Sequence, residues 1–111
     1  MPAGVLVYSV DGPFFFGAVE EFESALLHTD TDPKAIVLRL LDVPFVDLTG
    51  LISLKDAIET LGKRGVLVAL CCANADVAER LDKAEITSSV AVPATASLSQ
   101  AIAAVTLRLA D

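Results

Sequence analysis

The stretch FVDLTGL, Phe45 to Leu51, sets an acid, a hydroxyl and a glycine between two apolar runs. An aspartate just ahead of a helical pattern is a helix cap. Its carboxylate accepts from the free backbone N–H groups of the first turn, here those of Thr49 or Gly50. Thr49 then falls inside that turn, where N–H groups point outward and the local field favours anions. Gly50 keeps the turn uncrowded. A phosphate on the Thr49 hydroxyl would be held by the helix end and repelled by Asp47, so adding it would rebalance the local charge. Asp47, Leu48, Thr49 and Gly50 therefore have two readings: a plain helix cap, or a switch loop with Thr49 as phosphoacceptor.

Other reactive side chains offer less. His28 is the sole histidine and lies near a helix end beside the acidic DTD loop, where an imidazolium suits the helix dipole. GKR, Gly62 to Arg64, lacks the spacing of a phosphate-binding loop, and no serine sits in a nucleophile elbow. Asp11 and Asp47 are candidates to meet at one sheet edge, but loop acids at strand ends serve mostly as solvated or capping groups. Cys71 and Cys72 are adjacent, and adjacent cysteines reach disulfide geometry only with a distorted backbone. They read as small buried residues of a strand, and no histidine or second cysteine pair completes a zinc set. No catalytic residue, metal site or cofactor is expected. The aromatic run Phe14, Phe15 and Phe16 is costly to expose, and in a strand its members alternate between faces. It is a candidate interaction surface, with the domain's own core as the alternative.

The elements that position these groups follow from hydrophobic period. GVLVYSV is a β-rich run closed by the turn signal DGP, and GAVEEFESALLHT carries Val19, Phe22 and Leu26 at helical spacing. AIVLRLL is apolar on both faces, as expected of a strand covered on both sides. The next helix has the stripe Leu51, Leu54, Ile58 and Leu61, with Lys55, Asp56, Glu59 and Lys63 opposite, and Gly65 ends it. VLVAL is a third buried strand, a short helix with Val77 and Leu81 follows, and VAV before Pro93 is a candidate fourth strand. SLSQ, Ser97 to Gln100, opens the last helix with a hydroxyl cap and a glutamine three residues on. Apolar strands alternating with helices predict an α/β fold, a central sheet of about four strands with helices packed on it, in one domain.

Composition bounds the rest. A chain of 111 residues supports one core, and 54% hydrophobic against 21% charged residues excludes disorder. The longest apolar runs fall well short of the ~20 residues of a membrane-crossing helix, and no charged-then-apolar leader opens the chain. A net charge of −7 with scattered basic residues argues against a nucleic-acid partner.

Strand, DGP, acidic helix, strand, DVPFVDLTGL, helix and GVLVAL, in that order, resemble the STAS domain over roughly Gly4 to Leu107. That fold is shared by bacterial anti-sigma-factor antagonists and the cytoplasmic tails of SulP-type anion transporters. The resemblance assigns Asp47, Thr49 and Gly50 to the family signature, and in the antagonists the hydroxyl at the position of Thr49 is phosphorylated by a partner kinase. VDGPFFFGA, Val10 to Ala18, resembles the opening of SulP tails more than that of the antagonists. One departure is Ala84–Glu85–Ile86, where the family often has a Gly-Leu pair. The implied function is a non-catalytic cytoplasmic regulatory domain, residues 1–111, cut from a longer transporter of sulfate, bicarbonate or a related anion. Its partners would be the membrane domain of that transporter or a soluble regulatory protein. The alternatives are a free-standing anti-sigma-factor antagonist switched at Thr49, and a nucleotide- or anion-binding module using the helix start.

Overall fold

The computed structural model describes residues 4–11 and 33–110. The helix expected from GAVEEFESALLHT, the run Phe14 to Phe16 and His28 lie outside the described residues. Among the described residues three strands form one parallel sheet in the order β1 (Val5–Asp11), β2 (Ala35–Asp42), β3 (Leu67–Cys71). Val5 pairs with Ala35 and Ala35 with Leu67, with an irregularity between Ser9 and Asp11.

Alternation along β2 and β3 divides the core into two layers. Ile36, Leu38 and Leu40, with Val68 and Leu70, face helix α1 (Leu48–Lys63) and helix α2 (Ala75–Lys83), whose Leu54, Leu61, Val77 and Leu81 are buried against them. Ala35, Val37, Ala69 and Cys71 face the other way, toward Ala101 and Val105 of helix α3 (Leu98–Leu109). Both faces of the sheet are covered, which is why β2 and β3 read as apolar runs without polar alternation.

The expected helix ends are found with their chemistry. α1 stops at Lys63; Gly65 takes φ +79°, the Val66 N–H reaches the Leu61 carbonyl at 2.9 Å and the Gly65 N–H reaches Gly62 at 3.0 Å. This is the paired exit that a left-handed residue makes possible. α2 ends the same way, with Ile86 N–H to Leu81 O at 2.9 Å and Glu85 N–H to Asp82 O at 3.0 Å. There Glu85 itself holds the left-handed position at φ +60°, and Ile86 is buried behind it. Glu85–Ile86 thus makes the turn that a Gly-Leu pair would make, at the strain cost of a Cβ in that region.

The sheet has three strands among the described residues, where about four were expected. Val90–Ala91–Val92 does not form the fourth; the Val92 N–H turns back onto the Val90 carbonyl at 2.8 Å. The open edge of β3 is closed by serines instead. The Leu70 N–H donates to Ser88 Oγ at 2.8 Å, the Val68 N–H to Ser89 Oγ at 3.1 Å, and the Ser89 N–H to the Val68 carbonyl at 2.7 Å. Hydroxyls stand in for the missing backbone ladder, so the buried edge groups are satisfied without a strand.

Candidate functional site

Asp47 sits in extended backbone, φ −94° and ψ 174°, and α1 begins at the next residue. Its carboxylate accepts the Gly50 N–H at 2.7 Å, the shorter-range of the two cap geometries read from the sequence being left unused. Leu48 and Thr49 are exposed while Gly50 is buried, so the first turn presents Thr49 to solvent and tucks Gly50 toward the core. The hydroxyl of Thr49 therefore stands at the positive end of a sixteen-residue helix that follows the carboxyl end of the central strand. Asp47 is engaged as the cap, and in the backbone Asp11 lies in register with Asp42.

Around this turn the chain exposes large apolar side chains. Phe45 is 48% exposed, Leu48 72% and Ile52 54%. Leu48 and Ile52 are one helical turn apart and so share a face of α1, and Phe45 precedes them by one turn's length of chain. None belongs to the inward stripe, which uses Gly50, Leu54, Ala57 and Leu61, with Leu51 and Ile58 packed at its margin. The result is an apolar arc around a hydroxyl.

The loop carrying Phe45 is tied down from α2. Asn74 caps that helix by accepting the Val77 N–H at 2.8 Å, and its amide donates to the carbonyls of Val43 at 3.3 Å and Pro44 at 3.2 Å. Val43 and Val46, on either side of Pro44 and Phe45, are buried, so the loop is pinned at both ends while Phe45 faces out. Pro44 and Phe45 form one wall of a groove of about 390 Å³ whose other wall is Asp76, Glu79, Arg80 and Lys83 of α2. Sequence reasoning did not find Asn74. Its signal was an asparagine directly before the helical pattern ADVAERL, which marks a cap but not the second, long-range use of the amide.

The cysteines depart partly from the strand reading. Cys71 is the buried last residue of β3, and Cys72 lies beyond it, half-buried, at φ +62°. Burial pushes the Cys71 thiol up to about 12, a hydrogen bond with the Cys72 thiol acting in the same direction and the Arg39 guanidinium against it. Arg39 lies in register with Cys71 on the α3 side of β2, and its Nε is buried with no partner among the described residues. Among the described residues no three His, Cys, Asp or Glu side chains gather as a metal site. Nor is any helix among them long and apolar enough to cross a membrane.

Known proteins share this fold. The sequence model of the STAS domain family matches residues 2–101. The solved STAS domain of a SulP transporter from Vibrio cholerae superposes with a TM-score of 0.83 at 34% identity, covering 100% of this chain and 88% of that one. A sulfate transporter family protein from Wolinella succinogenes gives 0.83 at 25% identity, over 100% of this chain and 92% of that one. The murine Slc26a9 anion transporter, in its inward-facing state, gives 0.70 at 22% identity, which concerns the fold alone; 99% of this chain covers 18% of that protein. A candidate sulfate transporter, YvdB of Bacillus subtilis strain 168, is 39% identical over 44 residues, 39% of this chain and 8% of that protein.

Proposed function

We propose that this chain, which belongs to the STAS-domain family, is the regulatory domain of a SulP-type inorganic anion transporter. Residues 1–111 form one such domain, on the cytoplasmic side of the membrane, and a longer chain carries the membrane helices and the anion pathway. The domain works without catalysis. The relative from Vibrio cholerae, of which this chain covers 88%, supports the transporter branch.

The observation that carries an interaction role is the apolar arc of Phe45, Leu48 and Ile52 around the capped start of α1. Apolar side chains gathered at one surface mark contact sites, and the arc is held rigidly by the Asp47 cap and by the Asn74 clasp on its loop. A surface that binds one conformation of a membrane domain better than another shifts the transporter toward it by that difference in affinity. The partner is the membrane domain of the same protein or a soluble regulatory protein docked on the same face.

The test begins with the parent gene: its reading frame is expected to continue upstream of Met1 into membrane helices. In that longer protein, reconstituted in vesicles, Leu48→Ser should change the rate of sulfate or bicarbonate uptake while leaving the folded domain intact. A frame that starts at Met1 without membrane helices, or uptake indifferent to Leu48, Phe45 and Ile52, overturns the reading.

Exposure of Thr49 favours a second role for the same surface. A phosphate there would add about two negative charges beside Leu48 and Ile52 and disfavour an apolar partner. A free-standing antagonist of this kind would lose its partner in Thr49→Glu with the fold retained, and an unchanged affinity would remove that role.

A further inference from the structure

Alternation along a strand puts neighbouring side chains on opposite faces, so Cys71 and Cys72 would point apart if β3 continued. It does not continue. Cys72 adopts φ +62°, a left-handed conformation unusual for a residue with a side chain. Two backbone bonds hold it there, Cys72 N–H to the Ala96 carbonyl at 2.7 Å and Ala73 N–H to the Ala94 carbonyl at 3.0 Å. Both cysteine side chains then pack in the same cluster, under α3. A disulfide between adjacent residues needs a distorted backbone because their Cα atoms are held closer than ordinary bridges prefer. The left-handed turn at Cys72 leaves that spacing as it is and brings both side chains to one side of the chain. Cys71 is sealed in the core, whereas Cys72 is partly open to solvent.

We propose that Cys71 and Cys72 form an oxidative modification site, closing to a vicinal disulfide on reaction with a hydroperoxide. The accessible Cys72 sulfur gives its proton to solvent and attacks the terminal peroxide oxygen; the O–O bond breaks, Cys72 becomes a sulfenic acid, and the departing alkoxide takes a proton from solvent to leave as an alcohol, or as water where the peroxide is hydrogen peroxide. The Cys71 sulfur then attacks the Cys72 sulfur, the S–S bond forms, and hydroxide departs with the Cys71 proton as water. Two thiols lose two electrons and the peroxide gains them. Arg39, in register with Cys71 and lacking a partner at Nε among the described residues, is the positive group that opposes, without overcoming, the burial that keeps the Cys71 thiol protonated. The ring lies against the Ala96 carbonyl, one residue before the cap of α3, and does not depend on any role in transport.

The test treats the reduced chain with hydrogen peroxide, denatures it in acid, alkylates the remaining thiols and maps the peptide that spans both cysteines. The expected result is a monomer in which both thiols are lost together, the peptide is lighter by two hydrogens, and dithiothreitol restores both. Cys71→Ala should stop at the Cys72 sulfenic acid, trapped by dimedone, and Cys72→Ser should leave Cys71 reduced. If either variant fails to fold, the map of the unaltered chain decides alone. Cys72 driven to sulfinic acid or into a linked dimer while Cys71 stays alkylatable overturns the proposal, as does inertness of both thiols.

Discussion

α1 and α3 both begin where the chain leaves the carboxyl side of the sheet, on opposite faces, and both use a side-chain cap. Asp47 accepts from Gly50 at 2.7 Å; Ser97 accepts from Gln100 at 3.1 Å, and Gln100 returns a bond to the Ser97 N–H at 3.0 Å. The α3 start is the more complete device, satisfying donors in both directions. Yet the side chains exposed around it, Thr95, Ser97, Ser99 and Gln100, are all polar, while the same span at the α1 start shows Phe45, Leu48 and Ile52. A cap explains a helix boundary; it does not explain apolar surface beside it. The difference teaches that the α3 start is architecture, and that the α1 start is architecture carrying a contact surface.

The hardest way to break the comparison is to remove what holds the α1 start in place. Leu54 is fully buried between α1 and the sheet, and Leu54→Ala should cost about 2–5 kcal/mol in urea unfolding. A cost well under that range would mean that α1 is not docked as described, and its exposed arc would lose its meaning. Cap removal is the next step down. Asp47→Ala and Ser97→Ala should each cost about 1 kcal/mol, so calorimetry would treat the two starts alike while transport by the longer protein responds only to Asp47→Ala.

Stability and contact can then be separated with the exit of α2. Glu85 occupies a left-handed position at φ +60°, and Glu85→Gly should regain about 1 kcal/mol, the steric cost of a side chain there. The double variant Asp47→Ala with Glu85→Gly should therefore unfold near the unaltered chain and still show the altered transport. If restoring stability also restores transport, the Asp47 effect was one of folding alone, and the two helix starts no longer differ.

Much of this was legible in the sequence because it is local. Helical period located α1, α2 and α3, and the caps at Asp47 and Ser97 follow from residue type and spacing within four positions. The stripe Leu51, Leu54, Ile58 and Leu61 faces inward as its period requires, two of its members fully buried and two at the margin. What escaped is set by distant chain. Asn74 reaches Val43 and Pro44, some thirty residues back. Ser88 and Ser89 replace a strand at the edge of β3, where the β-branched VAV gave the wrong sign because propensity says nothing about which neighbour is present. Left-handed backbone at Cys72 and Glu85 was equally silent, since neither residue type announces it. Phe45, Leu48 and Ile52 fell outside the inner stripe of α1, and apolar residues off the stripe are the sequence trace of this surface.

The smallest effect tests how far the contact surface extends along the groove beside Phe45. Glu79 lines that groove and pairs with Lys83 four residues on, at 2.9 Å, both side chains being well exposed. The lysine's hydrogen bond and charge lower the Glu79 carboxyl below its ordinary value. A carboxyl lowered in the folded state adds stability above its unfolded pKa, and that stability fades as pH falls through the folded value. For a solvent-exposed pair the effect is screened to almost nothing, so Glu79→Gln should leave the urea midpoint unmoved at neutral pH and flatten only a faint acid slope. If it nevertheless alters transport in the longer protein as Leu48→Ser does, the surface runs from α1 across Phe45 onto α2. If it does not, the apolar arc alone is the contact, and the charged wall of the groove is ordinary solvated helix.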